Sequence, residues 1–253
     1  MSALLRAIAF TSCGFLLTPA ELHAQTTTQL WGNLTLGWAK DERLVYELDV
    51  EPKTLLSAPT GDPGWWSLDV TPTVTYSLKG WLDLLAEVAT GYAQQTDDVN
   101  SVELTPRVGA TWHLLSRDIP AVVHVRELPP HRRVVIRDTM RVEQRNLLYS
   151  DATDDSHTVR FRNRVEFLLP LNTPKLSDDG ARYVLADWEW FIPLDDAAER
   201  FANKQRIRAG VGYRQSHAWR FEALYIWNRS RNTIEDGFTT NDNVIDIRMK
   251  RLF

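Results

Sequence analysis

The stretch Trp65-Trp66-Ser67-Leu68-Asp69-Val70-Thr71-Pro72-Thr73-Val74-Thr75-Tyr76-Ser77 alternates without a break. Trp66, Leu68, Val70, Pro72, Val74 and Tyr76 fall on one side; Ser67, Asp69, Thr71, Thr73 and Thr75 fall on the other. Successive side chains of a strand point to opposite faces, so this reads as a strand with one apolar and one polar face. Residues 157–169 repeat the pattern with charge. Val159, Phe161, Val165, Phe167 and Leu169 oppose Arg160, Arg162, Arg164 and Glu166. In 218–228, Trp219, Phe221, Ala223, Tyr225 and Trp227 oppose Arg220, Glu222 and Asn228.

Similar runs occur near 29–39, 42–51, 80–93, 101–114, 120–128, 133–147, 181–192, 203–214 and 241–253. The count is about twelve, with ten to twelve as the range, and helix signals are confined to short turns such as 196–203. Pro72 and Pro106 fall inside runs, where a closed sheet has no edge to absorb a missing donor. The links at 39–42, 77–80 and 215–218 are short, and those at 51–65, 147–157 and 229–242 are long. Short links belong at one end of a membrane barrel, and twelve strands put some of them at opposite ends. The segment around Pro129-Pro130-His131 is where the count is open by one.

The two faces ask for different surroundings. Turned inward, the Trp, Phe and Tyr of some twelve strands would overfill one lumen. Turned outward into a bilayer they fit. Trp66 and Tyr76 stand roughly 25 Å apart along the normal, at ~3.3 Å per residue and ~40° tilt. That matches the apolar band, whose edges carry aromatic girdles. Trp38, Trp112, Tyr213 and Trp227 are placed near the edges in the same way. Phe253 ends the chain, with Met249, Ile247 and Ile245 at alternate positions before it. This resembles the signal read by the outer-membrane assembly machinery, and Arg251 between them is expected to snorkel to the headgroups.

The chain has 253 residues and a formal net charge of −4, and its basic residues form no long run. No nucleic-acid partner is expected. At the N-terminus, Arg6, the apolar Ala7 to Leu17, Pro19 and a small Ala24 before Gln25 have the anatomy of a cleaved signal peptide over 1–24. A lipoprotein reading would use Cys13, but the apolar run continues past it. Cleavage removes the only cysteine, so neither a disulfide framework nor a cysteine metal site is expected. The expectation is an all-β chain: one monomeric antiparallel transmembrane β-barrel over 25–253 in the outer membrane of a Gram-negative bacterium. Its partners would be outer-membrane lipid and the assembly machinery. A soluble periplasmic β-sandwich or lipocalin-like barrel is the alternative.

Several pieces together resemble a bacterial family catalogued only as domain of unknown function 2490. They are Arg141-Val142-Glu143-Gln144-Arg145, the ladder Arg160/Arg162/Arg164-Val165-Glu166, Trp188-Glu189 with Phe191, and Gln205-Arg206 running into Gly210-Val211-Gly212-Tyr213. Residues 116–132 depart from the pattern. The resemblance implies an outer-membrane barrel and carries no activity, cofactor or catalytic role.

With the apolar face outward, the polar face lines a lumen. Early strands contribute Glu47, Asp49, Glu51, Asp69, Asp83, Glu87 and Glu103. Later strands contribute Arg137, Arg141, Glu143, Arg145, Arg160, Arg162, Arg164, Glu166, Glu189, Arg206, Arg208 and Arg214. In a twelve-strand barrel Glu47 and Asp49 would look across at Arg160 to Arg164. Opposed walls of this kind orient and filter polar solutes, as charged rings do in pores. The competing reading is that the same residues pair and close the lumen. Adjacent-strand pairs such as Arg141 or Arg145 with Arg164 or Glu166 are then expected.

An enzymatic barrel needs a nucleophile with its base. Ser156-His157 and Ser216-His217 are chain neighbours in connections, and neighbours in extended chain point apart. His113, His124 and His131 form no metal-ligand spacing. No catalytic residue, cofactor or metal is expected. The leading function is a small porin-like, solute-handling barrel. The runner-up is a closed structural or interaction barrel, and a lipid-modifying enzyme comes third.

Overall fold

The computed structural model describes residues 25–58, 64–95, 100–115, 133–151, 155–195, 204–230 and 240–253. The leader at 1–24, the run at 120–128 with Pro129-Pro130-His131, and the turn at 196–203 lie outside them. The strands are β1 (Gln25–Ala39), β2 (Leu44–Ser57), β3 (Trp65–Lys79), β4 (Leu82–Gln95), β5 (Ser101–His113), β6 (Val135–Tyr149), β7 (Ser156–Pro170), β8 (Ala181–Pro193), β9 (Lys204–Arg214), β10 (Trp219–Ser230) and β11 (Thr240–Leu252). Each pairs with its successor, and β1 closes on β11 to complete a barrel.

The count among the described residues is eleven, within the predicted range and one below its upper figure. β5 pairs directly with β6, from Ser101↔Tyr149 to His113↔Arg137, so no stave stands between them. This count brings the three short turns to one end. The turns at 40–43, 80–81 and 215–218 all lie at the end that carries Phe253, with the longer connections 114–134 and 171–180. The long links that follow β2, β6 and β10 lie at the opposite end.

An odd number of staves also sets the closure. In an up-and-down chain the first and eleventh strands run the same way, so their seam must be parallel. β1 and β11 pair in parallel from Gln25↔Thr240 to Gly37↔Leu252, while the other ten pairs are antiparallel. The seam is long because both strands are, β1 with fifteen residues and β11 with thirteen.

The prolines are accommodated by local lapses. Pairing of β3 with β4 passes from Val70↔Thr90 to Thr73↔Glu87, skipping Thr71 and Pro72. Pairing of β5 with β6 passes from Leu104↔Asn146 to Arg107↔Glu143, skipping Thr105 and Pro106. Each proline meets on one side a neighbour to which it owes no donor.

The turns follow their local chemistry. In 40–43 the Asp41 carboxylate accepts from the backbone N–H of Arg43 and of Leu44, both at 2.8 Å. Those bonds hold its pKa below the usual carboxylate range. Gly180 takes φ 78° just before β8, a conformation that costs glycine little.

The alternation assigns the faces unambiguously. Trp66, Tyr76, Trp188, Tyr213 and Phe253 are exposed outside, while Trp112 and Trp227 are half-buried on that same outer face. Val108 is 62% exposed, whereas Glu143 and Glu189 are 0% exposed. Water-soluble proteins bury the first type and expose the second. At the C-terminal seam Phe253 stacks on Trp38 at 5.4 Å. The Arg251 guanidinium lies over the Trp219 and Phe253 rings at 4.6 and 4.8 Å.

Candidate functional site: a charged lumen

The phase that sends Val and Trp outward sends every second, polar residue inward, and register then sets the neighbours. Glu87 on β4 stands opposite Arg107 on β5, Arg107 opposite Glu143 on β6, and Glu143 opposite Arg160 on β7. Four strands thus place alternating charges side by side, the favourable cross-strand arrangement.

Two glutamates are the hubs of this wall. Glu143 receives Arg160 Nε at 2.5 Å, Arg162 Nη1 at 3.1 Å and Arg107 Nε at 3.2 Å. Glu189 receives Arg162 Nε at 2.5 Å, Arg208 Nη2 at 3.3 Å and Arg206 Nη1 at 3.4 Å. Arg162 joins the hubs. Around them Arg145 forms a two-bond fork on Glu103, at 2.9 and 2.8 Å. Arg208 Nε donates to both oxygens of Asp187, at 2.7 and 2.9 Å. Arg137 pairs closely with Glu166, and Lys250 with Glu47. Lys53 sits between Glu51 at 2.7 Å and Asp69 at 2.5 Å.

The pairs differ in detail from those expected. Arg141 stands opposite Arg162 and reaches Glu87 at 3.3 Å, and Glu166 is taken by Arg137. Arg164 comes no nearer a carboxylate than 3.9 Å, at Glu166. Register supplies most partners, Arg137 standing directly opposite Glu166, and side-chain reach supplies the rest, as when Arg141 on β6 reaches Glu87 on β4.

A cavity of about 550 Å³ runs inside this wall. Its lining extends from His217 in the β9–β10 turn to Glu103, Arg145 and Lys204 toward the other end. Fifteen Lys and Arg side chains line it against eight Asp and Glu, because Glu143, Glu166, Asp187 and Glu189 lie sunk behind the guanidiniums that hold them. The cavity surface is therefore basic although the chain carries −4. The signs are also segregated. Glu47, Asp49, Glu51, Asp69, Asp83, Glu87 and Glu103 come from β2 to β5, and most of the arginines from β6 to β9.

Some lumen residues escape a reading by charge alone. Phe191 points inward, with Arg160 and Arg162 over its ring at 4.9 Å and Arg206 at 5.3 Å. Trp31 also points inward, against Lys53 at 4.6 Å and Arg206 at 5.1 Å. Strand phase was the available signal: Trp31 shares parity with Gln29, Asn33 and Thr35, as Phe191 does with Glu189. Arg107 shares it with Glu103.

Near the Phe253 end, one side of the lumen is filled by Val135, Leu168, Tyr183, Leu185 and Leu224, with Leu176 from the β7–β8 connection. Tyr183 Oη donates to Glu222 Oε1 at 2.6 Å. A Cβ on Gly212 would fall 2.1 Å from Tyr183 Cζ, so glycine there makes room for the ring.

Of the histidines, His157 lies outside with Nδ1 3.0 Å from Asn146 Oδ1, and buried His113 pairs with Asp83 at 2.8 Å. His124 and His131 lie outside the described residues. Among the described residues no three His, Cys, Asp or Glu side chains gather as a metal site, and no helix is long and apolar enough to cross a membrane.

A family model described as a protein of unknown function (DUF2490) matches residues 28–239, most of the chain. No curated protein and no solved structure matches.

Proposed function

Because this chain belongs to the family of proteins of unknown function DUF2490, we propose its activity from its own geometry: an outer-membrane, porin-like barrel that passes small polar solutes through a basic lumen. The observation that carries this is the cavity lining, with its cationic excess and its acidic and basic walls. Such walls draw in anions and orient dipolar solutes. The outer face supports the membrane setting, since Val108, Val211 and Tyr225 are more than half exposed and would be costly in water. The lipid-facing aromatics, the leader at 1–24 and a C-terminal strand recognised by the assembly machinery belong to the same proposal.

A closed structural barrel is the second reading, favoured by the apolar filling around Leu176 and Tyr183. Conductance of the refolded chain in a planar bilayer separates the two. The porin-like reading expects discrete openings with anion preference, weakened by Arg160→Ala, Arg162→Ala and Arg164→Ala and kept by lysine at those positions. A folded, heat-modifiable but electrically silent barrel overturns it in favour of the closed one.

A further inference from the structure

The ion-pair network passes over Asp49 and engages Arg141 and Arg164 only at its margins. Asp49 lines the cavity, yet among the described residues no cation comes within 4 Å of it. Its partner is the Thr35 hydroxyl, and the nearby Lys250 is engaged by Glu47. On the other side Arg164 makes no hydrogen bond, its nearest carboxylate oxygen being 3.9 Å away, and Arg141 reaches only Glu87 at 3.3 Å without a hydrogen bond. The Nε atoms of Arg141 and Arg164 are buried without a partner.

These groups face one another. β2 and β7 are five staves apart in a ring of eleven, as nearly opposite as such a ring allows. Asp49 and Arg164 stand at matching depths, near the middle of Leu44–Ser57 and of Ser156–Pro170. At ~4.8 Å between strands and ~40° tilt, eleven staves close at a radius of roughly 11 Å. An aspartate and an arginine reaching in from opposite walls leave a gap on the order of 10 Å.

Resting on the reading that the lumen receives solutes, we propose that Asp49 on one wall and Arg141 with Arg164 on the other form a binding site for a small zwitterion. The solute's ammonium group turns to Asp49, and its carboxylate or other oxyanion turns to the two guanidiniums. A charge held away from bulk water with a missing or poorly placed counter-charge is costly, and a zwitterion spanning the lumen serves both ends at once. A simple anion would satisfy the arginines but meet the acidic wall with its other end. A simple cation would do the reverse.

The test measures binding to the detergent-folded full mature barrel by calorimetry, with three probes of equal chain length: 6-aminohexanoate, hexanoate and hexylamine. The zwitterion should bind about tenfold or more tightly than either half-charged analogue. Asp49→Asn should abolish its advantage over hexanoate, and Arg164→Gln its advantage over hexylamine, while Arg164→Lys retains most of it. Heat-modifiable migration certifies that each variant is folded. Hexanoate binding as tightly as the zwitterion, or no binding of any probe to the folded wild-type barrel, overturns the site. Conductance of the same preparation keeps the two proposals apart. A silent barrel that discriminates the probes loses transport and keeps the site, and a conducting barrel without discrimination loses the site alone.

Discussion

Replacing Glu143 by Gln tests whether one carboxylate organises the basic wall. The change preserves shape and removes a charge that has no exposure to water. It takes from the wall the acceptor of Arg160 at 2.5 Å and of Arg162 at 3.1 Å, and the counter-charge of Arg107 at 3.2 Å. Two of the three arginines have somewhere to turn. Arg162 keeps Glu189 at 2.5 Å, and Arg107 keeps Glu87 at 3.6 Å. Arg160 has no other carboxylate within 4 Å among the described residues and is left with the Phe191 ring. One orphaned buried charge costs about 3–5 kcal/mol. With a urea dependence of ~3 kcal/mol per molar, the unfolding midpoint should fall by roughly 1–2 M. Tryptophan fluorescence of the barrel refolded in micelles and titrated with urea reads this directly. Asp69→Asn is the control: its partner Lys53 keeps Glu51 at 2.7 Å, and Asp69 is partly exposed, so about 1 kcal/mol or less is expected. A Glu143→Gln barrel as stable as the Asp69→Asn barrel would refute the idea that the guanidiniums depend on that hub. The magnitude measures what removal does, not what the network adds over an apolar wall.

Two further outcomes are expected. Leu176→Ala removes a loop side chain from the apolar filling around Tyr183 and should cost about 2–5 kcal/mol in the same titration; a change under ~1 kcal/mol would mean that the 171–180 connection does not hold that filling in place. Val108→Arg, near the middle of β5 and highly exposed, should cost roughly 2–4 kcal/mol when the barrel is folded in phospholipid vesicles. An unaltered midpoint in vesicles would place β5 outside the apolar band.

Much of the architecture was legible in residue order. An alternation such as Trp66 to Tyr76 has only one period, so it names both the strand and its faces before any contact is known. The same rule sent Glu47, Asp49, Arg160, Arg162 and Arg164 inward together. It does not by itself give the number of staves. The run at 120–128 reads like its neighbours but lies outside the described residues, among which β5 pairs directly with β6. Phe191 and Trp31 were legible by phase but not by charge, being apolar side chains on a polar phase.

The sequence by itself determined an all-β chain with an apolar and a charged face, because those are properties of period two and composition. Only the tertiary structure decided the number of staves, the parallel seam between β1 and β11, and the partner of each charge. Closure is a property of the whole ring, since adding or removing one strand reverses the direction of the last. Pairing is a property of register and reach, since Arg137 takes Glu166 from the neighbouring strand while Arg164, two residues from that glutamate on β7, is left facing the cavity.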